Sequence, residues 1–208
     1  MYHTSRSLTF SRQTLRILPS HLIWSPLMVL PILVGCAPFA AQTVATTGPP
    51  VGQAHCVGNI EAPYGLVEVS DLRLLGRAMG KPGNGGLCDG KVFQVMQPLT
   101  VYRVWDSSKS AGKHGRWWSF TPPAGPVDAY RAKYAICPSW SRLDRVAQCH
   151  LRTCAEIVIG PGQSAQCNAD DNNKLYPQSS YEQVYIPSYP SDVSTPSVVD
   201  CIDDVKWP

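Results

Sequence analysis

Hydrophobic residues are concentrated near the start of the chain and recur later only in short runs. The first concentration, residues 22–34, reads LIWSPLMVLPILV, which is too short to span a bilayer as a helix. Pro26 and Pro31 interrupt it and argue against a buried core helix. Three arginines precede it, and the first acidic residue is Glu61. A basic segment, an apolar segment and then small residues predict a secretory signal.

After residue 55, short alternating and β-branched runs predict strands. These runs are residues 66–75 (LVEVSDLRLL), 91–105 (KVFQVMQPLTVYRVW), 155–160 (AEIVIG) and 181–186 (YEQVYI). The second should be two strands broken at Gln97-Pro98, because proline cannot donate to a ladder. The third should end at a Gly-Pro-Gly turn. Only residues 127–136 read as a helix. We expect an α+β fold: a small, mostly β domain with one or two short helices, long loops and disulfides.

The same patterns set the expected domain boundaries. Residues 1–36 are predicted to be the signal peptide, and residues 37–55, rich in Ala, Thr, Gly and Pro, a flexible linker. Residues 56–187 form the expected globular domain, which is long enough for one core and too short for two domains. Residues 188–208 are a tail that we expect Cys201 to pin to the domain.

Residues 33–36 (LVGC) resemble the lipobox of bacterial lipoproteins, in which the cysteine is diacylated and becomes the new N-terminus. The resemblance implies that Cys36 is the lipidation site and that the protein is tethered to a membrane. In such lipoproteins a non-acidic residue after the cysteine, here Ala37, usually goes with the outer membrane. We therefore expect a location in the bacterial cell envelope, facing the periplasm or the exterior. The small residues 37–42 leave ordinary signal cleavage as an alternative.

The net charge of the chain depends on whether the predicted signal peptide is counted. Residues 1–36 hold three of the 18 basic residues and none of the 15 acidic residues, so the remaining chain has 15 of each. The mature chain is formally neutral, which gives no electrostatic case for nucleic-acid binding. The sequence does not identify a protein partner.

Cysteine usage supports export. After Cys36, seven cysteines remain, a density typical of an oxidising compartment. Seven is an odd number, so three disulfides would leave one free thiol. Four of the seven lie between residues 137 and 167, where we expect at least one disulfide. The cysteines lack the paired CxxC spacing of zinc sites, and residues 168–173 (NADDNN) lack the calcium-loop pattern, so no metal is expected.

Residues 101–126 carry the most informative polar chemistry. Arg103 lies at a strand end beside Tyr102, and the aromatic segment GRWWSF follows about a dozen residues later. A planar guanidinium can hold a diphosphate through two donors, and aromatic side chains can stack on a base. The alternative is that the tryptophans pack in the core and Arg103 pairs with a surface acid.

The blocks VYRVW, GRWWSFTPPAGP, AEIVIGPG and QVYIP, over residues 99–187, resemble the NAD glycohydrolase toxins of the tuberculosis-necrotizing-toxin type. The resemblance implies that NAD is a substrate rather than a cofactor. It implies that Arg103 holds the NAD phosphates and that Gln183 is the catalytic glutamine. Tyr102 would contact the substrate, and Trp118 and Ser119 would line the nicotinamide side. Gln166 is a second candidate glutamine that fits the block order less well.

The resemblance has one clear departure, and two other functions stay open. Those toxins carry glycines before the terminal glutamine, whereas this chain has residues 179–182 (SSYE), and Tyr181 could line or block a cleft. A non-catalytic envelope lipoprotein with a binding or structural role is one alternative. A mono-ADP-ribosyltransferase is the other, from the order of Arg103, Ser119 and Glu182. The discriminating feature is whether Arg103, Ser119 and Gln183 meet in one cleft.

Overall fold

The computed structural model describes residues 55–109, 112–187 and 197–207. The predicted signal peptide with Cys36, most of the predicted linker and residues 188–196 of the tail lie outside the described residues. In the part of the chain that is described, no helix has the length and apolar character needed to cross a membrane.

Strands in the described residues form two larger sheets and one small ribbon. In chain order they are β1 (Leu66–Val69), β2 (Lys91–Val95), β3 (Leu99–Trp105), β4 (Trp117–Trp118), β5 (Arg145–Leu151), β6 (Glu156–Gly162), β7 (Ala165–Gln166), β8 (Leu175–Tyr176), β9 (Ser179–Tyr185) and β10 (Val198–Lys206). The first sheet has the order β1-β2-β6-β9-β4 and the second β10-β5-β3, while β7 pairs with β8. Paired strands are antiparallel throughout.

The main core lies between the two larger sheets. The first sheet contributes Val95, Ile157, Ile159 and Val184, and the second contributes Leu151 together with Val101 and Cys149. Each of these side chains is almost fully buried, and burying one aliphatic side chain is worth about 1.5–3 kcal/mol. A backbone bridge between Tyr102 and Ser119 joins β3 to the residue that follows β4, so the sheets also meet through hydrogen bonds.

In the described part of the chain, two α-helices cover the outer faces of the sheets. Helix α1 (Leu72–Ala78) packs Leu74 and Ala78 on the outer face of the first sheet. Helix α2 (Val127–Tyr134) packs Tyr130 and Tyr134 in a cluster with residues of β3 and with Trp207 after β10. Two 3-10 helices, Pro138–Trp140 and Ala169–Asp171, lie in the connections.

The predicted fold class is confirmed: the domain is mostly β, with two short helices. The predicted break at Gln97-Pro98 is also confirmed, because β2 ends and β3 begins on either side of it. The predicted helix over residues 127–136 is confirmed as α2, which ends two residues earlier, at Tyr134, and is followed by Ala135 in the left-handed conformation.

Two local predictions are wrong. Residues 72–75, predicted as strand, begin α1, because the Asp71 carboxylate accepts the N–H of Leu74 at 2.9 Å and caps the helix. The predicted Gly-Pro-Gly turn is part of β6, which continues through Pro161 to Gly162. The pairing of β6 with β9 shifts register between Pro161 and Gly162, and such an irregularity accommodates a proline within a strand.

Disulfides join distant parts of the domain: Cys56–Cys88, Cys137–Cys167 and Cys149–Cys201. The second confirms the expected bridge between residues 137 and 167. The third connects β10 to β5, so Cys201 holds a strand that the sequence pattern did not predict. The expected free thiol is wrong for the described residues, because none of their cysteines is free.

Candidate functional site

A cavity of about 670 Å³ opens between α1, the glycine-rich loop of residues 80–90 that follows it, α2 and the ends of β3, β4 and β9. This volume is within the range of small-molecule binding sites. Residues 135–143, which follow α2, form part of its lining and are called the wall segment below. The cavity draws on five separate stretches of the chain, which only the tertiary fold brings together.

The residues that line this cavity carry positive charge and aromatic rings. Arg77, Lys81 and Arg103 are among them, and no aspartate or glutamate is. The aromatic members are Trp117, Trp118, Tyr130, Tyr134 and Trp140. A concave site with cations, flat rings and no carboxylate favours an anionic ligand that contains planar rings.

Arg103 is held by main-chain carbonyls and not by an acid. Its Nε donates to the carbonyl of Gly112 and its Nη1 to that of Trp117, each at 2.7 Å. Among the described residues it forms no salt bridge, so the predicted alternative of a surface acid partner is wrong. Burial lowers the pKa of Arg103 to about 10, and the Tyr130 phenol opposes part of that shift. The guanidinium therefore keeps its charge at neutral pH and has N–H groups left for a ligand.

Gly115 explains how this guanidinium fits beside the chain. A Cβ at Gly115 would lie 2.1 Å from Nη2 of Arg103, which no real contact allows. Glycine at this position therefore lets the loop pass directly against the arginine. The Gly-Arg-Trp-Trp block is needed here for close packing as much as for its aromatic rings.

Gln183 lies on β9, opposite Gly160 of β6, and its side chain lines the cavity. It is 7% exposed, and its Nε2 donates to the carbonyl of Tyr134 at 3.2 Å. A Cβ at Gly162 would lie 2.6 Å from the same Nε2, so a glycine on the neighbouring strand makes room for the amide. Arg103 and Gln183, predicted as a pair, thus line one cavity.

The other predicted site residues are distributed differently. Trp118 lines the cavity, and its indole Nε1 donates to the carbonyl of Gly115 at 2.7 Å. Ser119 is 3% exposed and does not line it, because its hydroxyl donates to the Thr121 carbonyl and accepts from the Tyr134 phenol. Tyr102 lines a separate cavity of about 420 Å³ beside β10. Ser119 therefore reaches the site only through Tyr134.

Tyr181 and Glu182 line a smaller cavity of about 370 Å³ and not the larger one. The Tyr181 ring is 53% exposed, lies 6.4 Å from the Tyr134 ring and has the Lys133 ammonium 4.4 Å from its centre. The Glu182 carboxylate accepts the main-chain N–H of Glu61, and burial raises its pKa. Tyr181 therefore does not separate Arg103 from Gln183, and Glu182 does not share their cavity.

Several residues of the cavity were missed by sequence reasoning. Arg77 and Lys81 flank the start of the glycine-rich loop, which lacks the spacing of a nucleotide-binding motif. Tyr130 and Tyr134 lie one helical turn apart on α2, a spacing that could have been noticed as one face. Burial raises the pKa of Tyr130 well above its ordinary value, so its phenol stays protonated.

One cluster has the composition of a metal site without its chemistry. Cys137, Cys167 and Asp171 place one ligand atom each within 4.8 Å of one another. The two sulfurs are bonded to each other, and the Asp171 carboxylate accepts from the N–H and the hydroxyl of Ser139. The cluster is a structural connection between the wall segment and the second 3-10 helix.

Comparison with known proteins gives no relative: no protein-family model matches the chain, and neither curated proteins nor solved structures show a significant similarity to it.

Proposed function

We propose that the protein is an exported lipoprotein whose domain hydrolyses the nicotinamide–ribose bond of NAD. The observation that carries this proposal is that Arg103 and Gln183 line one cavity whose lining has cations and aromatic rings and no carboxylate. The resemblance to the NAD glycohydrolase toxins assigns the same two residues to the NAD phosphates and to catalysis. The lipobox resemblance at Cys36 supplies the membrane anchor of the proposal.

Arg103 would bind the diphosphate of NAD. Two of its N–H groups are committed to the carbonyls of Gly112 and Trp117, which fix the plane of the guanidinium before a ligand arrives. A pre-positioned guanidinium loses little side-chain entropy when it binds an anion. No acidic side chain of the cavity lining competes for it.

Gln183 would act on the nicotinamide ribose. Its Nε2 is engaged by the Tyr134 carbonyl, which leaves Oε1 to accept a hydrogen bond from a ribose hydroxyl. Such a bond strengthens as positive charge develops on the sugar in an oxocarbenium-like transition state. The amide thereby stabilises the transition state more than the bound substrate.

The reaction needs no acid on the leaving group. The bond between C1′ and the pyridinium nitrogen breaks with both electrons going to nitrogen, so nicotinamide leaves neutral. Water then adds to C1′ and releases a proton, giving ADP-ribose. Because the cavity lining holds no carboxylate, direct attack by water is the simpler route than a covalent glycosyl-enzyme.

A second candidate function is a binding module that holds a nucleotide without cleaving it. The observation that favours it is the low exposure of Gln183, whose side chain is only 7% accessible. A transferase is less well supported, since Glu182 lines the separate, smaller cavity with Glu61.

The test is to purify the exported chain with its disulfides intact and incubate it with NAD. The hydrolase proposal expects nicotinamide and free ADP-ribose in equal amounts. Release should slow by at least about a hundredfold in Gln183→Ala, and Arg103→Ala should need about tenfold more NAD for the same rate. NAD binding without release would favour the binding module. ADP-ribose recovered on protein acceptors would favour the transferase.

A further inference from the structure

We propose that Trp140 is the stacking platform for a planar ring of the ligand, and that the wall segment is built to hold it rigid. This inference rests on the proposed nucleotide-binding function of the cavity and adds a specificity residue to it. Trp140 lines the cavity, yet its side chain is 43% exposed. An exposed tryptophan on a cavity wall leaves apolar ring surface in contact with water until a ligand covers it.

The glycine-rich loop supports one edge of this ring. A Cβ at Gly85 would lie 3.0 Å and 3.2 Å from two carbons of the six-membered ring of Trp140. Gly85 has φ +69°, a conformation that other residues rarely adopt, and its N–H donates to the carbonyl of Ser164. The main chain of the loop at Gly85 therefore packs directly against the edge of the indole ring, which limits how far the ring can rotate.

The main chain around Trp140 is fixed from several directions. Cys137 is tied to Cys167 by a disulfide, and Asp171 accepts from both the N–H and the hydroxyl of Ser139. The Lys109 ammonium donates to the carbonyl of Trp140 itself at 2.7 Å. This short 3-10 helix therefore has connections to two other parts of the domain.

Arg131 of α2 completes this support from inside. Its guanidinium is buried, and it donates to the carbonyls of Cys137, Ser141 and Arg142 at 3.3, 2.8 and 3.2 Å. A buried arginine that satisfies three carbonyls of one segment fixes the path of that segment. So many constraints on either side of one exposed indole indicate pre-organisation for stacking, which reduces the entropy lost on binding.

The residues that line the cavity with Trp140 restrict the chemical class of ligand that it can bind. Lys81 and Arg77 line the same cavity as Trp140, so a ring on the indole would lie in a cationic cavity. A flat, uncharged ring joined to phosphates matches both features. We therefore infer that the base of a nucleoside diphosphate stacks on Trp140.

The experiment compares two probes that differ in the ring: ADP and inorganic pyrophosphate. Calorimetric binding constants are measured for the exported, disulfide-bonded chain, for Trp140→Ala and Trp140→Phe, and for Tyr64→Ala. Tyr64 is a suitable control because its side chain is 89% exposed and it does not line the cavity.

We expect Trp140→Ala to weaken ADP binding about tenfold and to leave pyrophosphate binding within about twofold, as removal of a stacking partner should. Trp140→Phe should recover most of the ADP affinity, and Tyr64→Ala should change neither constant. Equal losses for both probes, no loss for ADP, or no ADP binding by the folded wild type would overturn the platform. ADP binding through Trp140 without NAD cleavage would instead overturn the hydrolase proposal and leave the platform standing.

Discussion

The side-chain amide of Gln183 donates a hydrogen bond to the main-chain carbonyl of Tyr134 across 3.2 Å, and so joins β9 to the end of α2. Ser179 of the same strand donates to the neighbouring carbonyl of Lys133 at 2.5 Å. These two contacts fix the position of β9 at the edge of the cavity. They also orient the Gln183 amide, because its nitrogen donates to the Tyr134 carbonyl while its oxygen has no hydrogen-bond partner among the described residues.

The role of Arg103 predicts a change in KM. Arg103→Ala removes the guanidinium and leaves the carbonyls of Gly112 and Trp117 without their donor, so substrate binding should weaken about tenfold or more, with a smaller effect on kcat. Arg103→Lys keeps the charge but cannot span both carbonyls, and should recover only part of the loss.

The matched control for Arg103 is Arg116→Ala, since Arg116 is an exposed arginine next to Gly115, the residue that packs against the Arg103 guanidinium, and it does not line the cavity. Steady-state kinetics on folded variants separate KM from kcat. If Arg116→Ala raises KM as much as Arg103→Ala does, a general loss of surface charge is responsible and the assignment of Arg103 is wrong.

The disulfide between Cys137 of the wall segment and Cys167 predicts that loss of this bridge weakens ligand binding. Replacing Cys137 and Cys167 together by serine should cost about 2–5 kcal/mol of stability and weaken ADP binding severalfold, because residues 135–143 lose one of their fixed ends. The double replacement of Cys149 and Cys201, which removes the bridge between β5 and β10, is the control.

Both cysteine variants are measured at a temperature where circular dichroism shows them folded. The control should lose stability and keep ADP affinity, because β5 and β10 do not line the cavity. An equal loss of affinity in both variants would mean that the Cys137–Cys167 bridge acts only through overall stability.

Asp106 predicts a specific dependence of stability on pH. It is 5% exposed; burial raises its pKa, but hydrogen bonds from Ser108 and Arg142 lower it more, and the net shift is downward. A carboxyl with a lowered pKa in the folded state adds stability above its ordinary pKa, and this stability is lost as the pH falls toward the folded value. The stabilisation should therefore be complete at neutral pH and decrease below about pH 4.

Urea unfolding of the wild type and Asp106→Asn between pH 2.5 and 7 checks this. The difference in unfolding free energy should be largest at neutral pH and shrink as the pH is lowered. Asp170→Asn, at an exposed aspartate of the second 3-10 helix, should show no such trend. A difference that stays constant with pH would show that Asp106 contributes by packing alone.

The lipoprotein proposal predicts the chemistry of the mature N-terminus. Cys36 should be the first residue and should carry a thioether-linked diacylglyceryl group, detected by mass spectrometry of the N-terminal peptide. Cys36→Ser should release the protein from the membrane fraction. Cleavage within residues 37–42, or recovery of Cys36 in a disulfide, would contradict lipidation.

The sequence predicted the parts of the fold that depend on local pattern. Pro98 separates β2 from β3 because proline lacks an N–H, and alternation located most of β9. Helix α1 was missed because one capping carboxylate, that of Asp71, decides it and periodicity does not. Strand β10 was missed because its main support is long-range, through β5 and the Cys149–Cys201 bridge.

The candidate site shows the same division. Arg103 and Gln183 were found through residue type and block order, and both line the cavity. The role of the wall segment was not predicted. The contacts that fix it come from Arg131, Cys167 and Asp171, which the sequence pattern does not connect to it. Tyr102 and Ser119 flank Arg103 and Trp118 in the chain, but alternation along a strand turns neighbouring side chains to opposite faces.

Hydrolysis of NAD through Gln183 is tested most directly by the rate of nicotinamide release from NAD by the wild type, Gln183→Ala and Gln166→Ala. Gln166 is the matched control because it is a glutamine of the same domain, on β7, whose Nε2 bonds the Asn173 carbonyl away from the cavity. Release by the wild type and by Gln166→Ala, with a loss of at least about a hundredfold in folded Gln183→Ala, is the predicted result. No release by the folded, disulfide-bonded wild type, or equal release by Gln183→Ala, would contradict the account.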